Sequence, residues 1–192
     1  MNPAAGIFDR FADDYDEWFD ANKDIYAAQT GSLRRYIPGT DNGLEIGVGS
    51  GRFACRLGIR HGLDPSLRLL AMARERGVET VLGKGEFLPY RSGTFSCILM
   101  MTVICFLDDV ARSFREACRV IRPGGTLIVA FLEKDGEVAL RERAREPAGR
   151  FLHYAEFLTA EQVMAALTYA GFSGVGVREN LNGFCIVTAR KE

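Results

Sequence analysis

The stretch GLEIGVGSGRFA, residues 43–54, places three glycines at alternate positions directly after a short apolar run. The run GLEIGV is typical of a buried strand, and the glycines predict a turn into a helix that begins near Gly51. A turn alone does not require three glycines, whereas a backbone that closely approaches a ligand does. We therefore interpret Gly47, Gly49 and Gly51 as a ligand-binding loop, with Glu45 two residues before it.

Outward from this loop, apolar runs that predict strands alternate with patterns that predict helices. Asp64 stands at the tip of the second strand, and Ser66 opens the helix that follows it. The run at residues 95–103 is apolar almost throughout, as in strands that are covered on both faces. With VETVLG, GTLIVAFL and two final strands at residues 174–179 and 184–189, seven strands are predicted. This alternation predicts an α/β fold, with a mainly parallel sheet between two layers of helices.

The spacing of apolar residues and the capping residues give the expected limits of several helices. One amphipathic helix is predicted over residues 7–19, and a second over residues 23–36. Asp108 is the predicted N-cap of a later helix, whose apolar stripe extends to Ile121 and which the Pro-Gly pair at 123–124 ends.

Composition limits the possible functions. The 192 residues are 47% hydrophobic and carry 24 basic and 25 acidic side chains, a net charge of −1, so no positive field attracts nucleic acid or an anionic membrane. The five cysteines are never two residues apart, which predicts neither a disulfide framework nor a metal site. We expect a cytoplasmic protein without a signal peptide or membrane span, folded as one domain over residues 1–192.

The glycine spacing also separates two classes of nucleotide-like ligand. A dinucleotide-binding turn has a third glycine where this chain has Arg52, and an acid at Glu45 is unfavourable beside a pyrophosphate. An acid at that position suits a ligand that carries an ammonium group. A nicotinamide-dependent oxidoreductase is therefore the weaker hypothesis.

Four motifs in the same order resemble those of class I S-adenosylmethionine-dependent methyltransferases. They are E-x-G-x-G-x-G from Glu45, the acid Asp64 seventeen residues after Gly47, GKGEFLPYRSGTFSCILM over residues 83–100, and FREACRVIRPGGTLIV over residues 114–129. The resemblance spans nearly the whole chain and is nearest to the small-molecule, ubiquinone-biosynthesis-like "type 11" branch. It implies a Rossmann-like three-layer α/β/α fold, whose mainly parallel seven-stranded sheet has an antiparallel C-terminal strand.

The resemblance also implies a division of the chain into four parts. Residues 1–36 would form lid helices, residues 43–132 the cofactor-binding core, residues 133–158 a substrate-facing segment, and residues 159–192 a C-terminal helix and strands. The implied reaction is in-line transfer of a methyl group from S-adenosylmethionine to a small-molecule acceptor. A protein that binds the cofactor without catalysis, as a regulatory or accessory subunit, is the alternative, and either could be a monomer or a homodimer.

Site residues follow from the resemblance position by position. The three loop glycines would face the methionine part and the sugar, Glu45 would favour the amino group, and Asp64 would accept the ribose hydroxyls. The remaining implied contacts lie along the adenine and the sulfonium: Gly85, Glu86, Met101 and Thr102. Glu45 could instead only cap nearby amides, and Met101 could be a core residue.

The chain departs from the family at two positions. Lys84 replaces an aspartate that accepts from the adenine amino group, and lysine has no acceptor. Cys105 stands where many relatives have a histidine, which weakens the case for a histidine-assisted mechanism there.

No catalytic base is evident in the sequence, because the cofactor already carries a good leaving group and alignment supplies much of the rate. His153 is a candidate base, with a surface or packing role as the alternative. The arginines that follow the fifth strand could meet an anionic substrate or form a solvated helix face with Glu142 and Glu146: Arg141, Arg143, Arg145 and Arg150. No N-P-P-(Y/F) motif is present, so small molecules are preferred to nucleic acid as acceptors.

The aromatic N-terminal helix resembles the family's lid over the cofactor. Its apolar stripe must be buried against something. We expect Phe11, Tyr15 and Trp18 to face inward, with Tyr15 as a candidate catalytic residue near the methionine moiety or the acceptor.

Overall fold

The computed structural model describes residues 4–39, 42–144 and 150–192, so Arg145 and Glu146 lie outside the described residues. The helices are α1 (Ala4–Arg10), α2 (Ala12–Ala21), α3 (Lys23–Arg34), α4 (Arg52–Leu57), α5 (Leu67–Glu75), α6 (Val110–Val120), α7 (Glu137–Arg143) and α8 (Ala160–Tyr169). The strands are β1 (Gly43–Ile46), β2 (His61–Asp64), β3 (Glu79–Leu82), β4 (Phe95–Met101), β5 (Ile121–Leu132), β6 (Ser173–Leu181) and β7 (Phe184–Arg190).

All these strands form one sheet in the order β3-β2-β1-β4-β5-β7-β6. The pairs from β3 to β5 are parallel, and β7 lies antiparallel between β5 and β6. This arrangement confirms the predicted Rossmann-like class and the antiparallel C-terminal strand. The order reverses between β1 and β4, so the carboxyl ends of these two strands flank a crevice.

The centre of the sheet is covered on both faces. Every residue of β4 is buried, and side chains alternate between the two layers. Leu99 packs with α2–α5, while Ile98 and Met100 pack with α6 and α8. This burial explains why the sequence of β4 is apolar throughout, and it fixes the strand ends that carry the site.

The N-terminal helix is broken where one continuous helix was predicted. Phe11 has φ −115° and ψ 37°, outside the helical range, and separates α1 from α2. The second predicted helix ends at Arg34 instead of residue 36. The break changes the direction of the chain, so α1 contacts α5 while α2 contacts α3.

Two expectations about the ends of α6, its N-cap and its last residue, were wrong. The N-cap is Asp109, not Asp108, because the Asp109 carboxylate accepts from the Arg112 amide at 2.8 Å. Ile121 is the first residue of β5 and not the last turn of α6, so the Pro-Gly pair lies within the strand segment. Asp108 instead pairs with Lys84, which takes its side chain away from the helix end.

Candidate active site

A cavity of ≈360 Å³ lies at the carboxyl ends of β1, β2 and β4. This is where ligands bind in open α/β sheets, and the volume is in the range of small-molecule sites. Helices α1, α2 and α7 face the sheet across the cavity. Eight of the nine sequence-predicted cofactor residues line it: Glu45, Gly47, Gly49, Asp64, Gly85, Glu86, Met101 and Thr102.

The three loop glycines all have positive φ, at 73°, 53° and 80°, but they face different neighbours. A Cβ on Gly47 would lie 2.3 Å from Val103, and one on Gly51 would lie 2.9 Å from Ala73 in α5. Gly49 faces Tyr15 of α2, because a Cβ on Gly49 would lie 3.1 Å from the Tyr15 hydroxyl oxygen. Gly51 therefore serves the packing of a helix on the sheet and does not line the cavity, while Gly49 faces the cavity and the lid.

Glu45 lies at the base of the cavity and is 1% exposed. Burial raises the pKa of Glu45 well above its usual value, against a hydrogen bond from the Ala54 amide, and the charge of Asp64 raises it further. Its Oε2 atom has no hydrogen-bond partner among the described residues. A buried carboxylate oxygen without a partner is costly, and a bound cation or ammonium group would satisfy it.

Asp64, at the end of β2, is held by two backbone amides. Its Oδ2 accepts from the Gly49 amide and its Oδ1 from the Ser66 amide, both at 2.9 Å. Burial raises the pKa of Asp64 to about 6, although these two hydrogen bonds lower it in part. Each oxygen keeps a second lone pair, so the carboxylate can still accept hydroxyl groups from a ligand.

The stretch from Lys84 to Glu86 lines the cavity on the α6 side. The Glu86 carboxylate accepts from the amides of Asp108 and Asp109, at 2.8 and 3.3 Å, and so fixes the start of α6. Lys84 donates to Asp108 at 2.9 Å. Lysine has no hydrogen-bond acceptor, but this ion pair brings the Asp108 carboxylate, which is an acceptor, to the same side of the cavity. The sequence did not suggest this arrangement.

At the end of β4, Met101 and Thr102 form the centre of the sheet side of the cavity. Thr102 has φ 49°, which is unusual for a residue other than glycine, and its amide donates to the Ala130 carbonyl at 2.7 Å. Backbone strain of this kind is concentrated at functional sites. The turn sends the chain out of the sheet and brings Val103 against Gly47.

On the opposite side, four aromatic rings form a cluster that we call the aromatic cluster: Phe8, Tyr15, Phe106 and Phe151. Phe8 stacks on Phe151 with ring centroids 5.0 Å apart, and it meets Phe106 and Tyr15 edge to face at 5.0 and 5.3 Å. All four rings line the cavity. Burial raises the pKa of Tyr15, and the charges of Asp64 and Glu45 add to the shift. The Tyr15 hydroxyl is therefore protonated at neutral pH and can donate a hydrogen bond into the cavity.

Arginine–aspartate pairs hold α2 against the glycine loop. Arg52, directly after Gly51, makes a two-pronged contact with Asp16 at 2.8 Å and also reaches Asp20. Arg76 donates to Asp16 at 2.7 Å and to the Ser50 carbonyl at 2.8 Å. Although burial raises the pKa of Asp16, hydrogen bonds from Arg52 and Arg76 outweigh it and lower the pKa. Arg52, which argued against a dinucleotide turn, thus anchors α2 to the glycine loop.

Three residues expected inside the site lie elsewhere or only partly within it. His153 is exposed, does not line the cavity, and packs edge to face on Tyr154 at 5.1 Å. Phe11 also lies outside the cavity, beneath the guanidinium of Arg150. Trp18 lines the cavity but remains 43% exposed, at its rim.

Sequence analysis missed Phe8, Phe106 and Phe151. Phe8 lies seven residues before Tyr15, two helical turns away on the same face, and this spacing was an available signal. Nothing local to Phe106 or Phe151 pointed to the cavity, because their position depends on how β4 and α7 are placed by the sheet. Within the described ranges, no cluster of histidine, cysteine or acidic side chains could hold a metal ion, and no helix is long and apolar enough to cross a membrane.

The residues of the cavity fit S-adenosylmethionine. The unpartnered Glu45 oxygen suits its ammonium group, Asp64 retains acceptor capacity for ribose hydroxyls, and Gly49 leaves the backbone bare beside the cavity. Burial destabilises the ionised forms of Glu45 and Asp64, and a ligand of positive charge bound beside them would stabilise those forms.

Comparisons with known proteins agree with this fit. A family model described as a methyltransferase domain matches residues 44–129. The chain is similar, at 30% identity and a TM-score of 0.92, to the crystal structure of a SAM-dependent methyltransferase from Thermotoga maritima described as a possible histamine N-methyltransferase. That match covers 98% of this chain and 100% of the other.

Two further relatives carry no described function. An uncharacterised protein of Methanocaldococcus jannaschii, MJ1123, is 34% identical, over 91% of this chain and 85% of its own length. The Mycobacterium tuberculosis protein Rv2003c is 38% identical over 94% of this chain, which spans 65% of that longer protein.

Proposed function

Because this chain belongs to the S-adenosylmethionine-dependent methyltransferase family, we propose that it transfers a methyl group from S-adenosylmethionine to a small-molecule acceptor. The observation that carries the proposal is the cavity itself. The lid helices close it against the sheet, which leaves a space of ≈360 Å³ suited to small ligands. The description of the Thermotoga maritima structure, which names a small amine, also supports an acceptor of this size.

The cofactor, when bound, supplies an activated methyl group on a positively charged sulfur. We propose that Glu45 accepts from its amino group and Asp64 from the ribose hydroxyls. We propose that the backbone of Gly47 and Gly49 borders the methionine part and the sugar. The missing side chain of Gly47 makes room for Val103, and Gly51 acts only by supporting the loop. The adenine and the reacting centre would be flanked by the remaining cavity residues: Gly85, Glu86, Met101 and Thr102.

The chain's own contribution to the reaction is alignment and the exclusion of water. The three phenylalanine rings of the aromatic cluster cover the cavity with apolar surface, and alignment in a site that excludes water can supply on the order of 7–11 kcal/mol. We propose that Tyr15 donates a hydrogen bond to the cofactor or the acceptor. His153 receives no role, because its exposed position leaves it outside the cavity. A base is needed only for an acceptor that must first lose a proton.

Calorimetric titration with S-adenosylmethionine tests the binding half of the proposal. Asp64→Ala removes charge-assisted hydrogen bonds and should weaken binding by at least about tenfold. Glu79→Ala, which removes an exposed acid on the edge strand β3, is the control and should bind as the wild type does. Equal affinity in a folded Asp64→Ala protein would remove Asp64 from the site.

Turnover is tested separately, by release of S-adenosylhomocysteine in the presence of fractionated small metabolites. Release that depends on one fraction supports an enzyme with a small acceptor. Binding without release in any fraction would favour the alternative, a cofactor-binding accessory protein. We also propose a cytoplasmic location, which the five unpaired cysteines support.

A further inference from the structure

The cavity is lined beyond the glycine loop by residues of α2, α3, β5 and α7, and we call this part its second half. Its apolar lining residues include Trp18, Ile25, Leu132 and Val138. Trp18 and Ile25 are 43% and 49% exposed, so this half opens to solvent through an apolar mouth. Large apolar side chains at the mouth of a cavity favour a ligand that brings apolar surface of its own.

Arg141 is the positively charged residue that α7 contributes to this half of the cavity. Helix α7 directs Val138, Arg141 and Glu142 to the cavity, at positions that share one helix face, while Ala139 is buried behind them. Glu142 already has an interaction partner. Across residues 4–39, 42–144 and 150–192, the Arg141 guanidinium takes part in no hydrogen bond or ion pair.

The neighbouring arginines are occupied. Arg143 donates to the Lys134 carbonyl, and Arg150 pairs with Asp14 while it covers the ring of Phe11. At the glycine loop, Arg52 is held by two aspartates. Arg141 is thus the arginine on the cavity wall whose donors are available to a ligand.

The two halves of the cavity also differ in the sign of their available charges. The buried acids with raised pKa values, Glu45 and Asp64, lie on the sheet side, where they suit the positive cofactor. The second half has an available cation and an acid that is already engaged. Its charge therefore complements an anion, and a guanidinium fork binds carboxylate or phosphate through two parallel hydrogen bonds.

We propose that the methyl acceptor is an amphiphile with an apolar body and one anionic group, and that Arg141 binds this group at the mouth of the cavity. This inference rests on the proposed function, since it assigns the second half of the cavity to the acceptor. The apolar body lies against Trp18, Ile25 and Val138, and the anion stays at the solvent side. Arg141 is a specificity-determining residue and takes no part in the transfer itself.

The test uses three probes that share one body and differ in charge: 3-phenylpropionate, 3-phenylpropan-1-ol and 3-phenylpropylamine. Each is titrated into the full chain saturated with S-adenosylhomocysteine, and the fluorescence of Trp18, the only tryptophan, reports binding. We expect the carboxylate to bind at least about tenfold more tightly than the alcohol or the amine, a difference of about 1.4 kcal/mol. 2-Phenylethyl phosphate, tested beside them, separates phosphate from carboxylate preference, and tighter binding of either anion supports the proposal.

Two variants assign the effect to one side chain. Arg141→Gln should abolish the preference for the anion, while Arg143→Gln, two residues along the same helix, should retain it. The proposal is overturned by tightest binding of the amine, by equal or no saturable binding of all probes, or by equal loss in both variants. Binding of S-adenosylhomocysteine is measured first in each protein, so a failure of the proposed function is seen before any probe is added.

Discussion

The cavity has two walls that are held in place by different kinds of interaction. The sheet wall comprises the ends of β1, β2 and β4, residues 45–50, 64 and 101–102. It is fixed by backbone hydrogen bonds, such as those from Gly47 and Val48 to Leu63, and by burial. The lid wall comprises α1 and α2, and it is fixed by rings and by arginine–aspartate pairs such as Arg52–Asp16.

This difference assigns a separate task to each wall. A wall made of backbone in a buried sheet cannot move without unfolding, so it can position a ligand accurately. The Arg52–Asp16 pair is largely buried, but the pairs of Arg52 with Asp20 and of Arg68 with Asp13 reach solvent. Exposed pairs contribute little net free energy, so the outer part of this wall can open at small cost. The sheet wall provides geometry, and the lid wall provides access.

The largest expected effect comes from crowding the sheet wall at Gly49. Gly49→Val places a branched side chain at φ 53° and against Tyr15, and we expect S-adenosylmethionine affinity to fall by more than about 100-fold. Gly58→Val is the matched control, because Gly58 has φ 71° with open space around it. Both variants should lose about 1–3 kcal/mol of stability through strain, measured by urea unfolding, but only Gly49→Val should lose binding. Parallel losses of binding would assign the effect to strain alone.

The second effect follows from the Asp64 carboxyl, whose pKa is about 6 in the free protein. Below pH 6 this group is protonated and attracts a positive ligand less. Calorimetric titrations should therefore show the affinity for S-adenosylmethionine falling by up to about tenfold per pH unit as the pH decreases. Asp64→Asn should bind weakly with a shallower pH dependence. An equally steep profile in that variant would place the titrating group elsewhere.

The same pKa predicts how stability depends on pH. A carboxyl whose folded pKa lies above its unfolded value of 3.8 binds more protons in the folded state. Its contribution is therefore unfavourable above pH 6, and the free energy of unfolding should fall as the pH rises from about 4 to 6. The loss is on the order of 3 kcal/mol, and Asp64→Asn should lack it. Urea unfolding of both proteins at several pH values measures the difference.

The lid wall should respond more weakly, and to salt. Arg52→Gln removes the pairs with Asp16 and Asp20, so we expect about fivefold weaker cofactor binding and faster dissociation. In the wild type, raising NaCl from about 0.05 to 0.5 M should also weaken binding, and the variant should be less sensitive. Arg60→Gln, which breaks an exposed pair with Glu79 at the far edge of the sheet, is the control. If Arg60→Gln weakens cofactor binding as much as Arg52→Gln does, the pairs of Arg52 with α2 are not what holds the lid wall.

The smallest effect compares two rings of the lid. Phe8→Ala removes the ring that meets Tyr15, Phe106 and Phe151, and we expect about threefold weaker cofactor binding in calorimetric titration. Phe11→Ala, three residues along, removes a ring outside the cavity and should change affinity by less than about twofold. Equal losses of affinity in the two variants would mean that contact with the cavity is not the reason for the effect of Phe8.

The sheet wall was largely predictable from the sequence, whereas for the lid wall only the helices and the inward position of Tyr15 were predicted. Strands such as β4 follow from their own apolar runs, and the glycine loop follows from spacing within nine residues. Local patterns were therefore enough to predict the fold class and to predict that Glu45, Gly49 and Asp64 lie in one cavity. The separate reasons for Gly47 and Gly51 were not visible, because Val103 and Ala73 approach them only in the folded chain.

The lid depends on contacts between residues far apart in the chain. The pairing of Arg52 with Asp16 joins positions 36 residues apart, and many other aspartates were equally available in the sequence. The break at Phe11 has no proline or glycine to signal it. The choice of Asp109 over Asp108 as the helix cap depends on Lys84, which β3 brings near from 24 residues away. Pattern and propensity cannot select among such partners.

The aromatic cluster has a consequence for the order of events in a catalytic cycle. Its rings come from the lid, from the turn after β4 and from the segment after α7, so one opening motion separates all three. The acceptor's half of the cavity keeps its own mouth to solvent at Trp18 and Ile25. We expect the cofactor to enter first, because an acceptor bound at that mouth would block the way to the glycine loop. Steady-state kinetics should follow a compulsory order, with the methylated product leaving before S-adenosylhomocysteine.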